Sequence, residues 1–127
     1  MNIFGPPKRI LVADDEPDVC LYLKRYLERR KFHVTTCFDG AEARKVIGEQ
    51  KFDYFLLDCS MPNVTGLELV ESARRNNPGA KIVLISGFPA VNDTIIQKLG
   101  GDRFVHKPIQ LSEIDQIFQE DPKEEQK

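Results

Sequence analysis

Tyr54-Phe55-Leu56-Leu57-Asp58-Cys59-Ser60-Met61-Pro62-Asn63-Val64-Thr65-Gly66 decides how the rest of this chain is read. Four apolar residues run straight into one carboxylate, and Pro62 and Gly66 close the stretch. A short continuous apolar run bounded by turn residues fits a strand buried on both faces. Open α/β sheets bind their ligands just outside the carboxyl ends of such strands. Asp58 is therefore expected on a rigid central strand, pointing into a crevice.

Outward from that strand the pattern alternates. Arg9–Ala13 reads as a first strand, and Asp14-Asp15-Glu16-Pro17-Asp18 ends it and opens a helix. Proline suits a first helical turn, and acidic residues there suit the helix dipole. Val19, Tyr22, Leu23, Tyr26 and Leu27 have the spacing of one buried face, with Lys24, Arg25, Glu28 and Arg29 in water. Phe32–Cys37 is a second strand, and Asp39-Gly40 turns into a helix with Ala43, Val46 and Ile47 inward and Gly48 able to end it. Tyr54–Leu57 is the third strand. A third helix starts near Gly66, buries Leu69, Val70 and Ala73, and stops at Asn77-Pro78-Gly79. Lys81–Ile85 is the fourth strand, closed by Ser86-Gly87. A helix over about Ala90–Leu99 follows, rich in β-branched residues and marginal by propensity. Phe104-Val105 lies in a fifth strand ended by Lys107-Pro108. Leu111 to about Gln119 is the last helix, with Ile114, Ile117 and Phe118 inward. Five strands alternating with five helices argue for a parallel sheet covered on both faces.

At 127 residues the chain fits a single domain over 1–127, with a loose head at 1–7 and a polar, frayed tail at 121–127. A net charge of −2 gives no global basic field, so direct nucleic-acid binding is not expected. No apolar run approaches membrane-span length, and the first residues hold no signal-peptide core. Cys20, Cys37 and Cys59 are an odd set without CxxC spacing, which argues against a disulfide framework or zinc and for a reducing, cytoplasmic setting. His33 and His106 lack metal-like spacing and read as structural or surface residues.

In a parallel sheet all strand ends point the same way. Asp14 and Asp15, Asp58, Ser86 and Lys107 should thus share one edge. Each has a plain reading on its own. Asp14 and Asp15 could cap the first helix, with Asp15 and Asp18 spaced as a capping box. Asp58 and Ser86 could serve turns, and Lys107 could be a solvated charge. Together they are constrained by charge. Two carboxylates about 4 Å apart repel by roughly 4 kcal/mol at an effective dielectric near 20, so three need a cation. Oxygen ligands of this kind suit Mg²⁺. A carboxylate, a divalent metal, a lysine and a hydroxyl form a site suited to a transferring phosphoryl group. Asp58 is ionised at neutral pH and needs no general base.

Val12-Ala13-Asp14-Asp15-Glu16-Pro17, Leu57-Asp58-Cys59-Ser60-Met61-Pro62 with Gly66, Ile85-Ser86-Gly87, and Phe104 with Lys107-Pro108 resemble the receiver domain of two-component response regulators from about Lys8 to Gln119. The resemblance implies a five-stranded parallel sheet of flavodoxin-like order 2-1-3-4-5. It implies that Asp58 accepts a phosphoryl group from a phosphohistidine on a sensor histidine kinase or phosphotransfer protein. Mg²⁺, or Mn²⁺, would be held by Asp15 and Asp58, by Asp14 largely through water, and by the Ser60 backbone carbonyl. Lys107 and the Ser86 hydroxyl would bind phosphoryl oxygens. Phe104 would be the switch aromatic, turning inward as Ser86 is drawn to the phosphate, and the Lys107–Pro108 bond would be cis. With no effector domain in sight, output would be the binding of a downstream target protein, or passage of the phosphoryl group to a second histidine.

Three features vary from the family pattern. Ser60 and Phe88 flank the acceptor where an amide or acid often positions water, so slow autodephosphorylation is expected. Cys59 beside the acceptor reads best as a small buried residue. The last helix is short, which bears on the output face. Alternatives are a receiver excised from a larger sensor kinase or regulator, an aspartyl-phosphate hydrolase, and a flavodoxin-like cofactor binder. Ser60, where a hydrolase would carry a second Asp, counts against the second. The acidic loop at Asp14-Asp15-Glu16 counts against the third. Beyond its own acceptor chemistry the chain is not expected to be an enzyme.

Overall fold

The computed structural model describes residues 7–61, 64, 66–87 and 93–119. In chain order it contains β1 (Arg9–Ala13), α1 (Pro17–Arg29), β2 (His33–Cys37), α2 (Gly40–Glu49), β3 (Tyr54–Asp58), α3 (Gly66–Asn76), β4 (Lys81–Ser86), α4 (Asp93–Lys98), β5 (Arg103–His106) and α5 (Leu111–Gln119). The strands form one parallel sheet in the order β2-β1-β3-β4-β5, the flavodoxin-like order expected.

Strand side chains alternate between faces, so a fully apolar strand feeds two cores at once. Ile10, Val12, Tyr54, Leu56, Val83, Ile85 and Val105 pack against Cys20, Leu23 and Leu27 of α1 and Ile114 and Ile117 of α5. Leu11, Ala13, Phe55, Leu57, Ile82, Leu84 and Phe104 pack against Ala43 and Ile47 of α2, Leu69, Val70 and Ala73 of α3, and Ile96 of α4. Every residue of β3 and β4 is buried. That includes Lys81, whose Nζ donates to the Ile117 carbonyl at 2.7 Å and ties β4 to the last turn of α5. Arg30 of the α1 end joins Asp115 of α5 at 3.0 Å.

Several local expectations shift. The buried stripe of α1 is Cys20, Leu23 and Leu27; Val19 and Tyr26 are half-buried at its edge, and Tyr22 is 51% exposed rather than inward. The stripe is rotated by one residue, which turns Tyr22 towards the Lys107–Ile109 loop. The capping box is not formed. Glu16 is the N-cap and its side chain makes no cap bond, while Asp14 Oδ1 accepts from the Glu16 N–H at 2.9 Å. β2 begins at His33, because the Phe32 N–H closes α1 on the Leu27 carbonyl, with Lys31 at φ 74°. α2 runs through Gly48 to Glu49 and is closed by the Gln50 N–H on the Val46 carbonyl. β3 extends to Asp58 and β4 to Ser86, and β5 spans Arg103–His106. The described part of α4 is Asp93–Lys98; residues 88–92, like 1–6 and 120–127, lie outside the described residues. The Lys107–Pro108 bond is cis, as expected.

Two tight contacts fix loops of the sheet, one at its carboxyl edge and one at its amino edge. A Cβ on Gly66 would come within 2.7 Å of the Asp58 carbonyl oxygen and of Cys59 Cα, so α3 begins in backbone contact with the end of β3. At the other end of α3, Arg74 donates to the carbonyls of Gly100, Pro78 and Ala80 and to Asp102 Oδ2, which also accepts from the Ile82 N–H. This clamp joins α3, β4 and the α4–β5 loop.

Gly66→Ala is expected to cost about 1–3 kcal/mol, because the neighbouring atoms are backbone and cannot step aside. Urea unfolding of the two proteins measures it. An unchanged midpoint would show that the start of α3 is free to move away from β3.

Candidate functional site

The sheet's hydrogen-bond ladder continues past the strand ends and delivers the polar residues in fixed positions. The Asp14 N–H donates to the Cys37 carbonyl (3.1 Å), the Cys59 N–H to the Ile85 carbonyl (2.9 Å) and the Lys107 N–H to the Ser86 carbonyl (2.8 Å). From below, the Cys20 thiol donates to the Asp14 carbonyl at 3.3 Å. Register places Asp58 opposite Ile85, on the face covered by α1 and α5. Ser86 pairs with His106, and alternation places both with Phe104 on the α2–α4 face.

Lys107 reaches the acids. Its Nζ lies 3.1 Å from Glu16 Oε1 and 3.3 Å from Asp58 Oδ2, donating to both. Asp14 Oδ2 is 3.1 Å from the same nitrogen, close enough for an ion pair. The angle is not that of a hydrogen bond, and this buried oxygen has no hydrogen-bond partner. Asp58 Oδ1 accepts from the Ser60 N–H at 3.1 Å. Asp14 is fully buried and Asp58 is 2% exposed, while Asp15 and Glu16 face solvent. One carboxylate oxygen from each of Asp14, Asp15 and Asp58 lies within 4.8 Å of the others.

These positions set the electrostatics. Burial is the main reason that the Asp14 carboxyl titrates above the usual aspartate range; the Glu16 N–H and Lys107 oppose it, and the Asp58 charge adds to it. Burial alone would lower the Lys107 ammonium. Its contacts with Glu16 and Asp14, and the charge of Asp58, outweigh that and hold it above the ordinary lysine value. Three carboxylates thus share one ammonium, Asp15 adds a fourth acid beside them, and one buried oxygen among them lacks a hydrogen-bond donor. An all-oxygen set with this excess of negative charge fits a hard divalent cation. Both histidines stand outside it, as expected.

The structure brings together Asp14, Asp15, Asp58 and Lys107, and puts Ser86 and Phe104 at the same sheet edge, both buried. Phe104 packs edge-on against exposed His106, with ring centres 4.5 Å apart. Cys59 is half-buried against the α2–α4 core, and burial, with the Asp58 charge, pushes its thiol up to about 11. That keeps it protonated and supports its plain packing role. Cys20, Cys37 and Cys59 are free thiols. Phe88 lies outside the described residues.

Glu16 is the residue that reasoning from sequence did not assign. The available signal was an acidic side chain at a helix start outside the favoured N-cap types Ser, Thr, Asp and Asn. Beside it, Glu16, Val19, Tyr22, Lys107, Pro108 and Ile109 line a groove of about 550 Å³.

The model of the response regulator receiver domain family matches residues 10–119. The probable transcriptional regulatory protein TcrX of Mycobacterium tuberculosis is 33% identical over 111 residues, covering 87% of this chain and 47% of that protein. The chain spans less than half the length of the first curated relatives it matches. A response regulator protein from Burkholderia pseudomallei, solved with a phosphorylated aspartic acid, a calcium ion and citrate, superimposes with a TM-score of 0.79 at 30% identity, over 94% of this chain and 71% of that one. TrrA of Thermotoga maritima, solved with Mg²⁺ and BeF, gives 0.79 at 30% identity, over 90% and 98%. With its sheet order, its acidic cluster and this match over most of its length, the chain belongs to the response regulator receiver domain family.

Proposed function

We propose that Asp58 accepts a phosphoryl group from a phosphohistidine of a sensor histidine kinase or a phosphotransfer protein. The observation that carries this reading is the convergence of Asp14, Asp58 and Glu16 on Lys107 at the carboxyl edge of the sheet. One Asp58 carboxylate oxygen attacks phosphorus in line. The bond from phosphorus to the donor imidazole nitrogen breaks, and its electron pair leaves with the imidazole. Asp58 is suited to this because β3 holds its backbone and the Ser60 N–H orients its carboxylate. Lys107 and the Ser86 hydroxyl bind phosphoryl oxygens, and Phe104 follows Ser86 as the switch aromatic. Asp14, Asp15, Asp58 and the Ser60 carbonyl would hold Mg²⁺ or Mn²⁺, which supplies positive charge against that of the transferring group. The two solved neighbours, one with a phosphorylated aspartate and calcium and the other with Mg²⁺ and BeF, support that assignment by likeness.

Output on this reading is protein binding: about −2 charges gained at Asp58 bias a two-state element that a target protein reads. The chain acts as a single receiver unit in the cytoplasm, is no enzyme beyond its own acceptor chemistry, and touches neither nucleic acid nor membrane itself. Among the described residues no helix is long and apolar enough to cross a membrane. Receivers also occur within longer regulators, and the shared length with TcrX accommodates that arrangement.

Incubation with acetyl phosphate and Mg²⁺ is expected to add the mass of one phosphoryl group to the wild type and none to Asp58→Asn. Equal gain in both proteins would contradict the assignment. Ser60 and Phe88, two positions beyond Asp58 and Ser86 in the sequence, are neither amide nor acid, so slow autodephosphorylation is expected; decay of the acyl phosphate within seconds would overturn that expectation.

Asp14 gives a signed prediction. Its carboxyl titrates higher folded than unfolded, so its ionisation destabilises the fold as pH rises from the ordinary aspartate value through the raised one. Asp14→Asn is therefore expected to melt higher than wild type in chelator at neutral pH, and to lose the stabilisation that Mg²⁺ gives wild type. Thermal melts with and without Mg²⁺ measure both, and a full Mg²⁺ response in Asp14→Asn would remove Asp14 from the ligand set.

A further inference from the structure

Glu16 sits at the N-cap of α1 with an extended backbone, φ −97° and ψ 108°. Its side chain does no capping there. It reaches across the sheet edge to Lys107, a residue 91 positions away, at 3.1 Å. The side chains around that ammonium differ sharply in exposure: 60% for Glu16, 3% for Asp58 and none for Asp14.

That difference decides which contact opens when another anion arrives. An ammonium has three N–H donors, and three carboxylates already surround this one. Glu16 and Asp58 accept hydrogen bonds from it and Asp14 adds an ion pair, so a phosphoryl oxygen competes with all three for its charge and takes more than one N–H only by displacing Glu16 or Asp58. Asp14 and Asp58 are buried and held by the N–H groups of Glu16 and Ser60, so stripping the ammonium from either leaves a desolvated charge behind. Glu16 is exposed, and water replaces its lost partner at little cost.

We propose that Glu16 is a positioning residue for Lys107, holding the ammonium while the site has no phosphoryl group and competing with phosphoryl oxygens for it. The proposal rests on Asp58 being the phosphoryl acceptor. Glu16 keeps Lys107 close to Asp58 but raises the threshold for any dianion to take it. Removing the Glu16 charge leaves Lys107 still placed by Asp14 and Asp58 and freer to bind the newcomer. Glu16 also lines the groove beside Tyr22 and Pro108.

The test uses beryllium fluoride as the phosphoryl mimic at saturating Mg²⁺, followed by fluorine NMR, on wild type, Glu16→Gln, Lys107→Met and the double variant. Glu16→Gln is expected to bind roughly threefold or more tightly than wild type, the scale of an exposed ion pair. In the Lys107→Met background the same change is expected to have no effect, since the coupling runs through the ammonium. Glu16→Ala provides a second removal of the carboxylate and should match Glu16→Gln. Its thermal melt should also match wild type, because no cap bond is lost. Unchanged or weaker binding in both Glu16 variants overturns the proposal. So does an equal gain in the Lys107→Met background, which would make Glu16 a through-space repeller only. Failure of the wild type to bind the mimic, with no mass gain from acetyl phosphate, would strike the acceptor reading instead.

Discussion

Carboxylates crowded at the end of a parallel sheet repel one another, and this site persists because a lysine from the far side of the sheet lies among them. Lys107 Nζ is within 3.3 Å of oxygens from Asp14, Glu16 and Asp58. None of the buried acids can relax by moving outward. Asp14 is tied through its N–H to β2 and lies on the Cys20 thiol, and Asp58 is the last residue of a strand buried along its whole length. The strain of like charges is therefore held in place by the fold. Burial first, and the Asp58 charge after it, make the Asp14 carboxyl hold its proton more firmly than usual, while the surrounding acids make Lys107 harder to deprotonate.

Rigidity at that edge comes from both layers of helices. The strand alternation that gives β1, β3 and β4 two apolar faces also sends Asp58 to the α1–α5 side and Ser86 to the α2–α4 side. The acid cluster and the Phe104–His106 pair thus lie on opposite faces of one sheet, joined by the hydrogen bond from the Lys107 N–H to the Ser86 carbonyl. Lys107, which contacts Asp58, is one peptide step from His106. That adjacency connects the acid cluster to the packing of Phe104 and Ile96.

Much of this was legible in the sequence because parallel strands all end on one edge. Once the apolar runs ending in Asp14, Asp58, Ser86 and Lys107 were recognised as strands, their meeting followed from topology and needed no contact information. The orientation of α1 was harder. Residues at i+3 and i+4 spacing admit two stripes one residue apart, and Cys20 rather than Tyr22 faces the sheet. Glu16 was hidden for a different reason: its partner lies in the loop after β5, and its local position looked like helix capping. Arg74 was equally hidden. Its partners are mostly backbone carbonyls, at Pro78, Ala80 and Gly100, which no side-chain pattern advertises. The switch assignments for Ser86 and Phe104, and the role of Phe88, came from family likeness and not from spacing.

The central claim is that the carboxyl edge of the sheet is a divalent-cation site built from Asp14, Asp15 and Asp58. Titration with substoichiometric Mn²⁺, read as paramagnetic broadening of assigned backbone amides, tests it most directly. Broadening should be centred on residues 13–16 and 58–60, extend to 106–107, and vanish when excess Mg²⁺ is added. Broadening centred on another acidic stretch of the surface, with the amides of 58–60 left sharp, would contradict the account.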